Sequence, residues 1–228
     1  MEEHKGSRET FDYIADWGHP KFFYSLNDHW GRMGMLGILG DYILCATAGD
    51  ILEIGIGESS IYLTALSKKF KRKIYHCDLS ASKIINPLTI PGYLSEDNDY
   101  ITEHDDKVPS ARCLLYAGPS DKFFKRFAFT PIALAFIDGD HNYEQAKKDF
   151  YNILPLVADN GYIFLHDSYP PSVDYLSEHR CGTVYILRQE LEANRVLFDC
   201  FTFPKGTAMD VGITMIRKKP VARAYYNE

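Results

Sequence analysis

The stretch Ile132–Asp167, IALAFIDGDHNYEQAKKDFYNILPLVADNGYIFLHD, decides the fold. An apolar run is followed by a segment whose apolar residues share one helical face, and then by a second apolar run at Tyr162–Leu165. The residues on the helical face are Ala146, Phe150, Ile153, Leu154 and Val157. Asn160-Gly161 is predicted to form the turn into the second run. A strand, a helix and a strand joined in this way make the two strands parallel.

Polar residues follow both predicted strands. Asp138-Gly139-Asp140-His141 comes after the first strand, and His166-Asp167 comes after the second. The carboxyl ends of parallel strands share one edge of the sheet, and open α/β sheets bind ligands at that edge. Because neighbouring strands lie about 4.8 Å apart, Asp138 and Asp167 are expected to be close enough to share one metal ion.

The rest of the chain alternates predicted strands and helices. Strands are predicted at Ile51–Ile54, Lys73–Cys77, Arg112–Tyr116, Leu197–Phe203 and Val211–Arg217, and helices at Ser60–Lys69, 120–127 and Thr183–Ala193. The last two strands are predicted to form an antiparallel hairpin, since Pro204-Lys205-Gly206 begins their connection. This order specifies an α/β protein with a Rossmann-like, doubly wound sheet that is mostly parallel.

Two segments stand outside this alternation. Residues 1–49 are rich in aromatics and glycine, and we predict a helical, aromatic cap segment there, with a helix at Met33–Cys45, followed by a Rossmann-like domain at 50–228. Residues 80–110 are predicted to be irregular and to form a substrate-covering segment or a mobile lid. The aromatic residues of the cap segment favour a homodimer interface.

The bulk properties exclude several classes of function. A net charge of -6 argues against nucleic-acid binding as the main task. The chain has no run of 18 apolar residues, and its polar start, MEEHKGSRET, indicates neither a membrane span nor a signal peptide. The five cysteines are widely spaced without a CxxC motif, so we expect no zinc finger but free thiols in the reducing cytoplasm.

A glycine loop ends the first strand, with the sequence Glu53-Ile54-Gly55-Ile56-Gly57-Glu58-Ser59-Ser60. Its glycines let the backbone turn sharply and approach a ligand closely. A dinucleotide fingerprint would have a third glycine at position 60 and would place pyrophosphate beside Glu58. Glu53 instead fits the cationic methionine part of S-adenosylmethionine, and Asp78 ends the second strand where an acid can accept both ribose hydroxyls. The alternative is that Glu53 is a surface charge and Asp78 a helix cap.

Together, Glu53-x-Gly55-x-Gly57, Asp78 and the unit from Asp138-Gly-Asp-His141 to His166-Asp167 resemble class I S-adenosylmethionine-dependent methyltransferases. More narrowly, the chain is similar over roughly 50–217 to the metal-dependent macrocin and mycinamicin O-methyltransferases and to the cephalosporin-hydroxylase-like group. The resemblance implies a seven-stranded sheet with the cofactor over the first two strands. It also implies a divalent ion at the ends of the fourth and fifth strands.

The resemblance further implies roles for single residues. Asp138 would bind the metal, and His141, three residues later, would be the general base, although a packing or capping role is the alternative for His141. The positive end of the following helix and a nearby cation are expected to keep His141 neutral, and Asp140 is predicted to cap that helix. The residues expected to contact the cofactor are Glu53, Gly55, Gly57, Ser59, Asp78, Gly118, Ser120 and Asp138.

The metal ligands are predicted to be Asp138, His166 and Asp167. The resembling enzymes usually have two acids in the place of His166-Asp167, so His166 is a departure. Imidazole suits zinc, manganese or iron better than magnesium. The expected metal is Mg or Mn, and His166 adds Zn or Fe as alternatives. Two other possibilities stay open: His166 lies behind the metal ligands, or the metal site has been lost and catalysis depends on positioning alone.

The sequence therefore predicts an enzyme that moves the methyl group of S-adenosylmethionine to a hydroxyl of a small molecule, such as a sugar or natural product, with a divalent metal. The alternatives are a Rossmann oxidoreductase using a nicotinamide dinucleotide, a non-catalytic S-adenosylmethionine-binding protein and a metal-dependent hydrolase. The hydrolase would leave Glu53 and Asp78 without a role.

Overall fold

A computed structural model describes residues 26–80, 98–102, 112–204 and 211–219 of this chain. The strands are β1 (Asp50–Ile54), β2 (Ile74–Asp78), β3 (Asn98–Thr102), β4 (Cys113–Ala117), β5 (Ile132–Ile137), β6 (Val157–His166), β7 (Phe198–Phe203) and β8 (Ile213–Lys218). The helices are α1 (Leu26–Ala46), α2 (Ser59–Phe70), α3 (Ser120–Arg126), α4 (Tyr143–Ile153) and α5 (Val184–Ala193). Short 3₁₀ turns lie at Leu154–Leu156 and Val173–Tyr175.

All strands belong to one sheet, in the order β3-β4-β2-β1-β5-β6-β8-β7. The pairs from β3 to β6 are parallel, and β8 runs antiparallel to both β6 and β7. The predicted doubly wound sheet with an antiparallel C-terminal hairpin is thereby confirmed, with all seven predicted strands present. β3 adds an eighth strand at the edge, inside the segment 80–110 that the sequence predicted to be irregular.

The sheet is covered on both faces, which explains why its central strands β1, β2 and β5 are buried. Alternate residues of β1 enter separate cores: Ile51 packs on the face of α1 and α2, and Leu52 packs on the face of α3, α4 and α5. All six residues of β5 are buried. The carboxyl ends of β1, β2, β4, β5 and β6 consequently lie along one edge of the sheet.

The predicted helix at Met33–Cys45 is confirmed as part of α1, and its Gly40 lies against α2. A Cβ atom on Gly40 would lie 2.6 Å from Cδ1 of Leu66, so glycine permits α1 to approach α2 closely. The described part of the predicted cap segment therefore shares a core with the sheet, whereas residues 1–25 lie outside the described residues. No helix among the described residues has the length and apolarity needed to cross a bilayer.

The turn predicted at Asn160-Gly161 is wrong. These residues lie within β6, where Ile132 of β5 pairs with Val157 but Leu134 pairs with Tyr162. The extra residues form a bulge, and Asn160 adopts a left-handed φ of 61°. Asn160-Gly161 does bend the backbone, as these residues indicate. The bend does not end the strand, however, because pairing with β5 resumes beyond the bulge.

Candidate active site

The ends of β5 and β6 bring acidic and imidazole groups together. Asp138 follows β5 and Asp167 follows β6, and these two strands are parallel neighbours in the sheet. Ligand atoms of Asp138, His141 and Asp167 all lie within 4.8 Å of one another. The sequence predicted His166 as the third metal ligand and His141 as the base. In the structure, His141 is the histidine of this group.

The two histidines bridge the two carboxylates. His141 Nε2 lies 2.9 Å from Asp167 Oδ2 and 3.7 Å from Asp138 Oδ1. His166 Nδ1 lies 3.0 Å from Asp138 Oδ1 and 3.4 Å from Asp167 Oδ2. The other ring nitrogen of His166, Nε2, is buried and has no hydrogen-bond partner among the described residues. The predicted role of His166 as a metal ligand stays a prediction.

The four side chains favour one another's charged forms. Hydrogen bonds to Asp138 and Asp167 raise the pKa of His141 to about 10. Burial opposes the charge of His166, but the two carboxylates outweigh burial and raise the pKa of His166 to about 10. Burial alone would raise the pKa values of Asp138 and Asp167, yet the two histidines lower both of them. The carboxylate contacts thus favour the charged form of His141, and the expectation that a nearby cation keeps it neutral stays a prediction.

Helix α4 begins later than the sequence predicted. Its N-cap is Asn142, whose side chain accepts a hydrogen bond from the backbone N–H of Glu144. Asp140 does accept a backbone N–H, as expected, but that N–H belongs to Asn142, ahead of the helix. The prediction that Asp140 caps the helix is therefore wrong, and His141 lies in the loop between β5 and α4.

Asp167 adopts a backbone conformation that L-residues rarely take. Its φ of 53° lies in the left-handed region, which costs a non-glycine residue about 1–2 kcal/mol. The Cys181 thiol hydrogen-bonds to this carboxylate, and burial together with the carboxylate's charge raises the thiol pKa to about 12. The orientation of Asp167 is therefore maintained at an energetic cost. Backbone strain of this kind concentrates at functional sites.

A cavity of about 540 Å³ opens beside this cluster, along the ends of β1, β2 and β4. Four of the predicted cofactor residues line it, namely Gly55, Asp78, Gly118 and Ser120, and so does His141. The described lining does not include the other four, which are Glu53, Gly57, Ser59 and Asp138. The structure thus brings half of the predicted cofactor set into one cavity next to the predicted base.

Asp78 is held rigidly at the end of β2. Its Oδ2 accepts a hydrogen bond of 2.9 Å from the backbone N–H of Ile56, and its Oδ1 accepts one of 2.7 Å from Ser80. Each carboxylate oxygen can accept a further hydrogen bond. This fixed carboxylate can therefore accept hydrogen bonds from a pair of neighbouring hydroxyl groups.

Gly55 is required by the protein's own packing. Its φ is 88°, and a Cβ atom there would lie 1.9 Å from the carbonyl oxygen of Asp138. Gly57 differs, because a Cβ atom at that position would meet nothing within 4 Å. The first glycine of the loop thus allows the end of β1 to lie directly against the backbone of Asp138, which belongs to the acidic cluster.

Glu53 is fully buried, so the alternative that it is a surface charge is wrong. Its oxygens accept hydrogen bonds of 2.5 Å from Ser59 and 2.6 Å from Ser60, and one lies 2.5 Å from His76 Nδ1. Burial opposes the charge of His76, but hydrogen bonds to Cys113 and Glu53 outweigh burial and raise the pKa of His76 to about 9. Through these contacts, Glu53 connects the glycine loop to β2. The predicted contact of Glu53 with a cofactor stays a prediction.

Sequence reasoning missed Asp149 and Gln145, which also line the cavity. Gln145 Nε2 donates hydrogen bonds of 3.0 Å to Ser120 Oγ and 3.1 Å to Asp149 Oδ1. Burial raises the pKa of Asp149 to about 6. A signal was present, because Asp149 lies on the same helical face as Ala146, Phe150 and Ile153, where a charged residue is unusual.

Comparison with known proteins adds independent findings. A family model described as "Methyltransferase domain" matches residues 52–168. This match runs from within β1 past the end of β6 and includes the glycine loop and both acidic strand ends. No curated protein matches the chain by sequence.

Several solved structures share the fold at low sequence identity. An O-methyltransferase from Bacillus cereus in complex with SAH has a TM-score of 0.57 and 15% identity, covering 96% of this chain and 93% of that one. A SAH-bound methyltransferase from Podospora anserina has a TM-score of 0.57 and 19% identity, with 95% and 89% covered. The MycE methyltransferase from the mycinamycin biosynthetic pathway, in complex with Mg and SAH, has a TM-score of 0.53 and 16% identity, with 92% and 53% covered.

Proposed function

The chain belongs to the methyltransferase-domain family, and from this premise we propose that it moves the methyl group of S-adenosylmethionine to a hydroxyl of a small molecule. One observation carries the proposal: the cavity that holds Gly55 and Asp78 also reaches His141 of the acidic cluster. A nucleoside and a reacting hydroxyl would therefore meet at a single edge of the sheet. The SAH-bound structural neighbours support the choice of cofactor.

The cofactor's ribose is assigned to Asp78. Its carboxylate is held in place by two backbone N–H groups, so accepting two ribose hydroxyls would require little reorganisation. Gly118 and Ser120 extend the same cavity past the end of β4. The methionine part is then directed past the end of β1 toward the acidic cluster at the ends of β5 and β6.

The two carboxylates of Asp138 and Asp167 fit a divalent metal ion, with His166 Nδ1, which lies 3.0 Å and 3.4 Å from them, as the third donor. Two carboxylates and an imidazole are typical of manganese, zinc or iron sites more than of magnesium sites. When bound, such an ion supplies a Lewis acid that makes an acceptor hydroxyl more acidic. Mg in the MycE structure supports a metal in this fold, although that protein is only 16% identical.

His141 is assigned as the group that takes the acceptor's proton. In the transfer, the acceptor oxygen forms a bond to the methyl carbon, the carbon–sulfur bond breaks with its electrons going to sulfur, and the hydroxyl proton goes to His141. Hydrogen bonds to the two aspartates raise the pKa of His141 to about 10. A cation on those carboxylates would offset their charge and favour the neutral imidazole that accepts the proton.

Calorimetry with S-adenosylhomocysteine (SAH), followed by mass spectrometry of candidate hydroxyl acceptors with and without Mn²⁺, tests this proposal. We expect SAH binding and a methylated product, and Asp138→Asn should abolish turnover while leaving SAH affinity within about threefold. Asp159→Asn, at an exposed position in the β6 bulge, is the matched control and should behave like the parent. Absence of SAH binding at millimolar ligand would refute the function. SAH binding with no product from any acceptor would favour a non-catalytic cofactor-binding protein.

A further inference from the structure

Asp149 is a carboxylate in an apolar position. It lies on α4 among Ala146, Phe150 and Ile153, and its side chain is only 1% exposed. A carboxylate in such surroundings is costly unless it is hydrogen-bonded. The described partners are the Gln145 amide and the Ser120 hydroxyl. Neither partner is charged, so both stabilise the Asp149 carboxylate by hydrogen bonds but do not neutralise its charge.

The cavity places this carboxylate beyond Asp78 on the β4 side. Asp78 at the end of β2 pairs with Ala117 of β4, and Ser120 begins α3 directly after that strand. Ser120, Gln145 and Asp149 all line the cavity with Asp78. Since Gly55 lies on the opposite side, at the end of β1, a nucleoside whose ribose contacts Asp78 has its base toward Asp149.

We propose that Asp149, positioned by Gln145 and Ser120, recognises the adenine base of the cofactor by accepting a hydrogen bond from its exocyclic amine. The inference rests on the proposed function, because it assumes an adenosine ligand in this cavity. Leu79, which is 73% exposed and lines the same cavity, offers an apolar surface to the planar base.

The charge of Asp149 makes the recognition selective. Burial raises its pKa to about 6, so near pH 7.5 the group is mainly a carboxylate that can accept hydrogen bonds but not donate them. An exocyclic amine satisfies it, whereas a carbonyl oxygen at the same position of the base would repel it. A hydrogen bond to a charged group corresponds to about 10- to 100-fold in affinity, and we expect that preference for adenine over hypoxanthine.

The test measures binding of two ligands, SAH and its deaminated analogue S-inosylhomocysteine, by calorimetry at pH 7.5. The parent should prefer SAH by about 10- to 100-fold. Asp149→Asn should reduce this preference to within about threefold, because an amide can either donate or accept. Asp159→Asn should retain the parent's preference, since that residue lies away from the cavity lining.

The ratio of the two affinities separates recognition from a purely structural role. If Asp149 only anchors α3 to α4, Asp149→Asn weakens both ligands equally, and an unchanged ratio overturns the inference. If Asp149→Asn does not fold, Gln145→Leu removes the amide that orients the carboxylate, and a ratio that stays at the parent's value overturns it equally. A parent that binds neither ligand refutes the proposed function itself, whereas a parent that binds both with equal affinity refutes only the recognition of the amine.

Discussion

Substituting Gly55 by alanine should destabilise the protein through its own packing, even without a cofactor. The new Cβ would lie 1.9 Å from the Asp138 carbonyl oxygen and 2.8 Å from the Gly139 nitrogen, both of which are backbone atoms. Backbone hydrogen bonds of 2.8 Å from Gly55 to Cys77 and from Asp138 to Ile54 hold the two segments in place. The clash therefore cannot be relieved by rotating a side chain.

Two costs contribute to the expected effect of Gly55→Ala. An alanine at a φ of 88° is strained by about 1–2 kcal/mol, and forcing extra volume into a packed site costs about 1–3 kcal/mol. We expect a loss of about 2–5 kcal/mol, which for a chain of this size corresponds to a decrease in Tm of roughly 5–20 °C.

Thermal unfolding followed by circular dichroism, in the absence of ligand, measures this effect. Gly57→Ala is the matched control, because its Cβ would meet nothing within 4 Å and its Tm should stay within about 2 °C of the parent. A Gly55→Ala protein that melts within about 2 °C of the parent would show that the close approach to Asp138 is not rigid. SAH titration of Gly57→Ala then reports whether the second glycine faces the ligand.

Three further outcomes follow from the charged clusters. Asp167→Asn should keep the fold, because asparagine tolerates a left-handed φ. The substitution should weaken Mn²⁺ binding by at least about 100-fold. Calorimetry with Asp159→Asn as the control measures this, and equal Mn²⁺ affinities of the two variants would show that Asp167 is not a ligand. Glu53→Gln should lower the free energy of unfolding in urea by about 3–5 kcal/mol because it breaks a buried ion pair. The control Glu58→Gln, at an exposed position, should lower it by less than about 0.5 kcal/mol. Similar urea midpoints for the two variants would contradict a structural role for Glu53. The cluster histidines have pKa values near 10 when folded and 6.5 when free, so their contribution is complete below pH 6.5 and is lost as pH rises toward 10. The Tm of the metal-free protein should therefore fall between pH 7 and 10, and the fall should be smaller in His141→Gln; identical pH profiles would exclude the linkage.

The edge of the sheet where the site lies was predictable from the sequence. Apolar runs that end abruptly at Asp138 and Asp167 give two strand ends, and the helix between them makes those strands parallel. Parallel neighbours end at the same edge, so the meeting of the two carboxylates follows from local patterns alone. The glycine loop and Asp78 could be placed at that edge by the same reasoning.

The tertiary structure decided which group contacts which. Sequence order could not determine that Glu53 faces Ser59, Ser60 and His76 instead of the cavity, since burial depends on the face of β1 that α2 covers. It could not reveal that two carboxylates raise the pKa of His141, because a pKa depends on distances between side chains far apart in the chain. Periodicity and strand ends are local properties that a sequence specifies directly, whereas the environment of a charge is set by whichever segments pack around it.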